Sequence, residues 1–192
     1  RAVQKAAQRD MGVFIISPNE KGGHLFNPSP LMKELTAPLT PSQFNGRFCL
    51  KTPQVQTLSF GMSSPYHFKQ MASVVPDGDD HWNEQDEEIL NRMDKRKELD
   101  EYRSFDGYSI FDDPSGINIP EILRYRLMWK CFDNTAFPEM RYNMFEEKGN
   151  WFPGHYVTEE NLAKIDMSKV PEWIPLKELL LEVHQRFYKK KD

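Results

Sequence analysis

The spacing of apolar positions changes character several times along the chain. "RAVQKAAQRDMG" has the pattern of the end of an amphipathic helix closing at Gly12. The run after it, Val13 to Ser17, is continuously apolar and β-branched, which predicts a strand buried on both faces as in a parallel sheet. A glycine-bearing loop, "PNEKGGHLFNPSP", leads into a short helix over Leu31 to Leu35. Thr40 is placed to cap the next helix with Pro41 at its first position, and Phe44, Phe48 and Cys49 or Leu50 fall on one face. Val55 to Phe60 predicts a second strand, Gly61 ends it, and Ser64 with Pro65 opens another helix.

Helix, strand, helix, strand, helix is the order of βα units with right-handed crossovers. Two parallel strands leave both sheet edges open, so further strands are expected from upstream sequence or from another chain. Because the chain starts inside an element, it is expected to be a fragment or a processed product. From Pro76 the pattern changes. "PDGDDHWNEQDEEIL" is an acidic connector entering a charged helix that extends to about Tyr102. Beyond Ser104 there is no strand pattern. A helix is predicted from about Pro120 to Phe132 with Asn118 as cap, another short one behind Thr158, and a last one from about Pro175 to Lys190. The expected organisation is therefore residues 1–76 as the end of an α/β domain, 77–103 as connector and helix, and 104–192 as a small helical domain.

Composition narrows the partners. The 192 residues are 39% hydrophobic and 28% charged, ordinary for a globular chain. The net charge of -4 is small, and the basic residues are scattered apart from Lys189, Lys190 and Lys191, so nucleic acid is not an expected partner. No apolar run approaches the roughly 20 residues of a membrane span. Cys49 and Cys131 are too few for a disulfide scaffold or a four-thiolate metal site, and a reducing compartment is the expected setting.

Chemistry is expected in the loops that follow the two strands. In "SPNEKGGHL" the backbone N–H groups of Gly22 and Gly23 can approach an anion closely for want of a Cβ, and Lys21 adds positive charge. "GMSSPYHF" places Gly61, two hydroxyls and a helix N-terminus at the end of the neighbouring strand. Both loops fall on the carboxyl edge of the sheet, where α/β folds bind ligands. A Gly-Gly pair in such a loop is also ordinary turn chemistry.

"MGVFIISPNEKGGHLFNPSP", "LTPSQFNGRFCL" and "VQTLSFGMSSPYHF" resemble the last two βα units of the aldo/keto reductase (β/α)8 TIM barrel. "PSGINIPEILRYR", "RYNMFEEKGNWFPGH" and "IPLKELLLEVH" are similar to the tail of the branch of that family that appends a ferredoxin-like iron–sulfur domain. The resemblance runs over nearly the whole chain. It implies a barrel that reduces aldehydes or ketones with NADP(H), the cofactor phosphates lying over Ser17, Pro18, Lys21, Gly22, Gly23 and Leu25 and over Gly61, Ser63, Ser64, His67 and Gln70. Ser64 stands where many relatives place an Arg that pairs with the adenosine phosphate, and Met71 near an expected polar adenine contact. A hydroxyl offers one bond where Arg offers a charged fork, so weakened NADP binding is expected. The family's catalytic Asp, Tyr, Lys and His come from earlier strands and match no residue here, so no catalytic residue is assigned.

Relatives carry Cys-x-x-Cys-x-x-Cys-x-x-Cys-Pro just before the Gly-x-x-Ile-Pro helix start, a spacing that holds a four-iron cluster. The matching positions are Ser104, Gly107, Ile110 and Asp113, counted back from Pro114. Soft iron–sulfur chemistry needs thiolates, so no cluster is expected. Asp106, Asp112 and Asp113 lack the alternation and closing Glu of a calcium loop and are expected to form a solvated acidic turn. His24, His67, His81, His155 and His184 show no metal spacing. Trp129, Trp151 and Trp173 with Tyr142, Phe145 and Phe152 are expected in the small domain's core, and Cys131 as a small buried hydrophobe. Two functions follow as expectations: the carboxyl-terminal part of an NADP(H)-dependent reductase, or an inactive relative kept as a structural or interaction subunit of a larger assembly.

Overall fold

The computed structural model describes residues 2–75, 82–144 and 149–190. Part of the acidic connector, with His81, and Phe145 of the expected core lie outside these residues. The chain is mixed α/β and mostly helical, with two parallel strands among the described residues. It forms two compact units, residues 1–95 and 96–192.

In the first unit, α1 (Ala2–Ala7) precedes β1 (Val13–Ile16), and α2 (Pro30–Thr36) and α3 (Pro41–Leu50) lie on the connection to β2 (Val55–Ser59). The strands pair in parallel, with Phe14 opposite Thr57, Ile15 opposite Leu58 and Ile16 opposite Ser59. α4 (Pro65–Ala72) follows β2, and α5 (Glu84–Lys97) begins the charged stretch. The caps form as the sequence predicts. Thr40 Oγ1 accepts from the Gln43 N–H while Gln43 Oε1 accepts from the Thr40 N–H, and Pro41 occupies the first turn where no N–H is needed. Ser64 caps α4 in the same way through the His67 N–H at 3.2 Å.

The expectation that β1 is buried on both faces is corrected. Its side chains alternate, and Phe14 and Ile16 are 61% and 70% exposed, because no described residue covers that side of the two-stranded sheet. α5 also stops at Lys97 rather than near Tyr102. Its start is fixed by Asp86, whose carboxylate accepts from the Asn83 N–H at 3.0 Å and from the Arg47 Nε at 2.7 Å.

In the second unit α6 (Ile119–Phe132), α7 (Ala136–Tyr142), α8 (Glu159–Ala163) and α9 (Leu176–Phe187) surround one apolar core. α6 packs along α9, burying Ile122 and Tyr125 with Leu180 and Val183. Asn118 caps α6 by accepting from the Glu121 N–H. Tyr142, Phe152 and Cys131 are buried and Trp129 packs edge-on against Phe187. Trp151 and Trp173, however, are 64% and 56% exposed. Trp173 instead stacks on Tyr102, with ring centroids 6.5 Å apart. No helix among the described residues is long and apolar enough to cross a membrane.

Candidate functional site

The loops after β1 and β2 meet at the carboxyl ends of the strands. The Ser17 N–H extends the ladder to the Ser59 carbonyl at 3.0 Å, and the chain then turns sharply. Ser17 and Glu20 adopt positive φ (53° and 62°), as do Gly22 and Gly23 (88° and 71°). Such backbone is costly for a non-glycine residue and persists only where neighbours hold it. The neighbours here are two asparagines that sequence reasoning did not single out. Asn45 on α3 donates from Nδ2 to the Pro18 carbonyl at 2.6 Å and lies 3.4 Å from Asn19 Oδ1. Asn19, 1% exposed, donates to the Met71 sulfur at 3.2 Å and accepts the Leu25 N–H on its carbonyl. A polar residue buried within an apolar loop-and-helix junction gives no periodic signal, so it shows only once the loop has folded back.

The second loop leans on the first through aromatic contact. The His67 imidazole stacks on Phe26 with centroids 3.9 Å apart and planes within 7°. Its Nδ1 accepts from the Ser63 N–H at 3.3 Å, which holds the ring in the plane that meets Phe26. A Cβ built on Gly23 lies 3.4 Å from the Gly61 carbonyl, so the two loops touch at their glycines. Beside them is a pocket of about 410 Å³ between Leu25 and Phe26, the Thr40 to Ser42 helix start, and Tyr66 and Gln70 of α4, with Lys33 at its margin. That is within the size range of small-molecule sites.

The expected contacts divide into free and engaged groups. Lys21 is exposed, Gly61 faces open space, and the Gly22 N–H has no hydrogen bond among the described residues. The Gly23 N–H donates to the Glu20 carbonyl at 3.0 Å, and the Pro18 carbonyl is held by Asn45. Ser64 Oγ is committed to the helix cap, and Gln70, 8% exposed, accepts from Ser42 Oγ at 3.1 Å. Met71 is buried and faces Asn19. An anion here would meet the Gly22 N–H, Lys21 and the Ser64 hydroxyl, whose own proton the cap does not use, whereas Ser63 already bonds His67 Nδ1 through its N–H and its hydroxyl.

In the second unit the four positions that match cluster cysteines do other work. Ser104 is exposed. Gly107 takes a left-handed conformation (φ 74°), and a Cβ there would fall 2.9 Å from Ile119 Cγ2. Ile110 is 3% exposed within the apolar core. Asp113 accepts the Ser115 N–H at 2.8 Å on one oxygen and the Asp166 N–H at 2.6 Å on the other, tying two loops together. Asp106 accepts from the Tyr108 N–H, so the acidic turn is built from carboxylate-to-backbone bonds. Among the described residues no group of three or more His, Cys, Asp or Glu side chains is placed to hold a metal ion. His184 is half-buried, with Nδ1 2.9 Å from the Tyr142 hydroxyl. Burial holds the imidazole's pKa below its ordinary value and raises that of the phenol, so the bond joins two groups whose uncharged forms are favoured.

No family model matches the chain, and neither a curated protein nor a solved structure matches it.

Proposed function

We propose that this chain is the carboxyl-terminal part of an NADP(H)-dependent aldo/keto reductase, its first unit supplying the last two βα units of a TIM barrel and the loops that receive the cofactor's phosphates. The observation that carries this reading is the meeting of two loops at the carboxyl ends of adjacent parallel strands, joined by the His67–Phe26 stack beside an open pocket. The two-stranded sheet, with Phe14 and Ile16 uncovered, supports a partner that completes it, from the same gene or another chain. In the second unit, a degenerate ferredoxin-like domain on this reading, Ser104, Gly107, Ile110 and Asp113 offer no thiolate, and an iron or acid-labile sulfide assay on anaerobically prepared protein is expected to read zero. The catalytic Asp, Tyr, Lys and His belong to the upstream strands, so the chain by itself is expected to be inactive.

The test is the complete reading frame. Its upstream sequence is expected to place those four residues at strand ends, and the full-length protein to give a saturable NADPH fluorescence change and to oxidise NADPH with a carbonyl substrate. The 192-residue chain alone is expected to give no NADPH response, because Ser64 offers a single hydroxyl where relatives place a charged Arg fork and Met71 a thioether near the expected polar adenine contact. The second reading, an inactive structural or interaction subunit, is favoured by Ser64 and Met71 in the cofactor loops and by the loss of all four cysteine positions at Ser104, Gly107, Ile110 and Asp113. Replacement of the four upstream residues, with assembly into a larger complex but no NADPH oxidation, selects it over the first.

A further inference from the structure

A second concavity lies wholly within the 96–192 unit, where the segment after α5 crosses α6 and α9. It holds about 170 Å³. Leu123 and Leu127 of α6 and Leu179 of α9 form its floor, and Phe105 closes one side. Of the three guanidinium groups at its rim, Arg103 and Arg126 keep unused donors among the described residues.

Their hydrogen bonds are incomplete. Arg126, only 9% exposed, donates from Nε to Glu182 at 2.7 Å and from Nη1 to Asp100 at 2.6 Å, but its Nη2 has no partner among the described residues. The sole hydrogen bond of Arg103 among those residues runs from Nη1 to the Asp100 carbonyl at 3.3 Å, leaving Nε and Nη2 unused. A third arginine at the rim, Arg124, is occupied by both oxygens of Glu121 at 2.8 and 2.7 Å. Asp100 is committed to Arg126 and to the Tyr102 N–H. Asp106 turns one oxygen to the Tyr108 N–H. Three guanidinium nitrogens and the Oδ2 atoms of Asp100 and Asp106 are left without hydrogen bonds among the described residues, and three arginines against two carboxylates above the apolar floor favour an anion there.

We propose that this pocket binds a small monocarboxylate with a compact apolar body, the carboxylate accepting from Arg103 and from Arg126 Nη2 and the body lying on the three leucines. Carboxylate matches guanidinium in shape and charge. The body is limited to about one six-membered ring, since a cavity of about 150 Å³ lined by apolar side chains takes up benzene. An amine or metal cation would face the guanidiniums, and a bare inorganic anion would leave the leucine floor uncovered.

Benzoate is the probe, with benzyl alcohol as its uncharged counterpart and inorganic phosphate as an anion without an apolar body, each titrated into the 192-residue chain by calorimetry or amide NMR. Benzoate is expected to saturate below about 10 mM, with benzyl alcohol and phosphate each at least about tenfold weaker. Arg103→Gln, at an exposed position, is expected to weaken benzoate by about tenfold or more while leaving the urea midpoint unchanged. Leu127→Phe fills the floor and is expected to abolish binding. If that variant unfolds, the alcohol comparison and Arg103→Gln still decide. Lack of saturation by benzoate, equal binding of benzyl alcohol or phosphate, or unchanged affinity in Arg103→Gln each overturns the proposal.

Discussion

The ion pair between Arg47 on α3 and Asp86 on α5 is expected to contribute more to the first unit than any other single polar contact in it. Both oxygens of Asp86 meet the Arg47 fork, Nε reaching Oδ1 at 2.7 Å and Nη2 reaching Oδ2. The side chains are 11% and 1% exposed, so neither group recovers solvation from water if the other is lost. Burial alone pushes the Asp86 pKa up, but the Arg47 guanidinium and the Asn83 N–H outweigh it and hold it below the ordinary carboxylate value. Arg47→Met keeps the volume along α3 and leaves a buried, unpaired carboxylate, a change that costs about 3–5 kcal/mol in comparable sites. The Asn83 bond still satisfies one oxygen, which places the expected loss near the lower figure, about 3 kcal/mol. Asp86→Asn alone is expected to cost less, since the amide oxygen can keep the Asn83 cap. The double variant is expected to be more stable than the sum of the single losses, with a coupling of about 1 kcal/mol or more. The assay is urea unfolding followed by far-UV circular dichroism, repeated down to acid pH. With a depressed folded pKa, the stability owed to Asp86 is present above the unfolded value of 3.8 and is lost as pH falls through the folded one. In Arg47→Met burial is left opposed mainly by the Asn83 N–H and raises the folded pKa, so this limb is expected to reverse and the deficit relative to the parent to narrow as pH falls. A loss below about 1 kcal/mol in Arg47→Met, or a deficit that does not narrow at acid pH, would show that water reaches the carboxylate and would refute the reasoning.

Three further outcomes are expected. Because burial lowers the His184 pKa below 6.5, stability of the second unit is fully present above that value and declines as pH falls through it toward the folded pKa; His184→Gln, which keeps an acceptor for Tyr142, should flatten the decline of the urea midpoint between neutral pH and about pH 5. Gly107→Ala imposes a Cβ on a left-handed turn against Ile119 and is expected to cost about 1–3 kcal/mol, read as a lowered unfolding midpoint. Asn45→Ala frees the Pro18 carbonyl and the Asn19 amide, and hydrogen exchange at Leu25 and Gly23 is expected to accelerate while β1–β2 amides keep their protection.

Local structure was legible in the sequence to a large degree. Thr40, Ser64, Asn118 and Thr158 all cap the helices their positions announce, because capping needs only a side-chain oxygen three residues before an unsatisfied N–H. Two parallel strands at 13–16 and 55–59 follow from their β-branched runs. Legibility ended at contacts between distant segments. An apolar run does not say how many of its faces are covered, so Phe14 and Ile16 read as core and stand exposed. An indole is counted as apolar whether or not a cavity exists for it, and Trp151 and Trp173 project outward.

The candidate site divides in the same way. Glycines, serines and Lys21 in the two loops are visible as residues able to meet an anion, and their place after two strands puts them at one sheet edge. Which of them remain available was decided by tertiary structure alone: among the described residues the Gly22 N–H stays open, while the Gly23 N–H closes on Glu20 and the Ser63 N–H on His67. Asn19 and Asn45, separated by 26 residues in the chain, hold the loop between them. Sequence determines which groups can donate and accept, since that is fixed by covalent chemistry. Folding determines which donors have already found acceptors, because burial obliges each polar group to pair with whatever segment the chain brings against it.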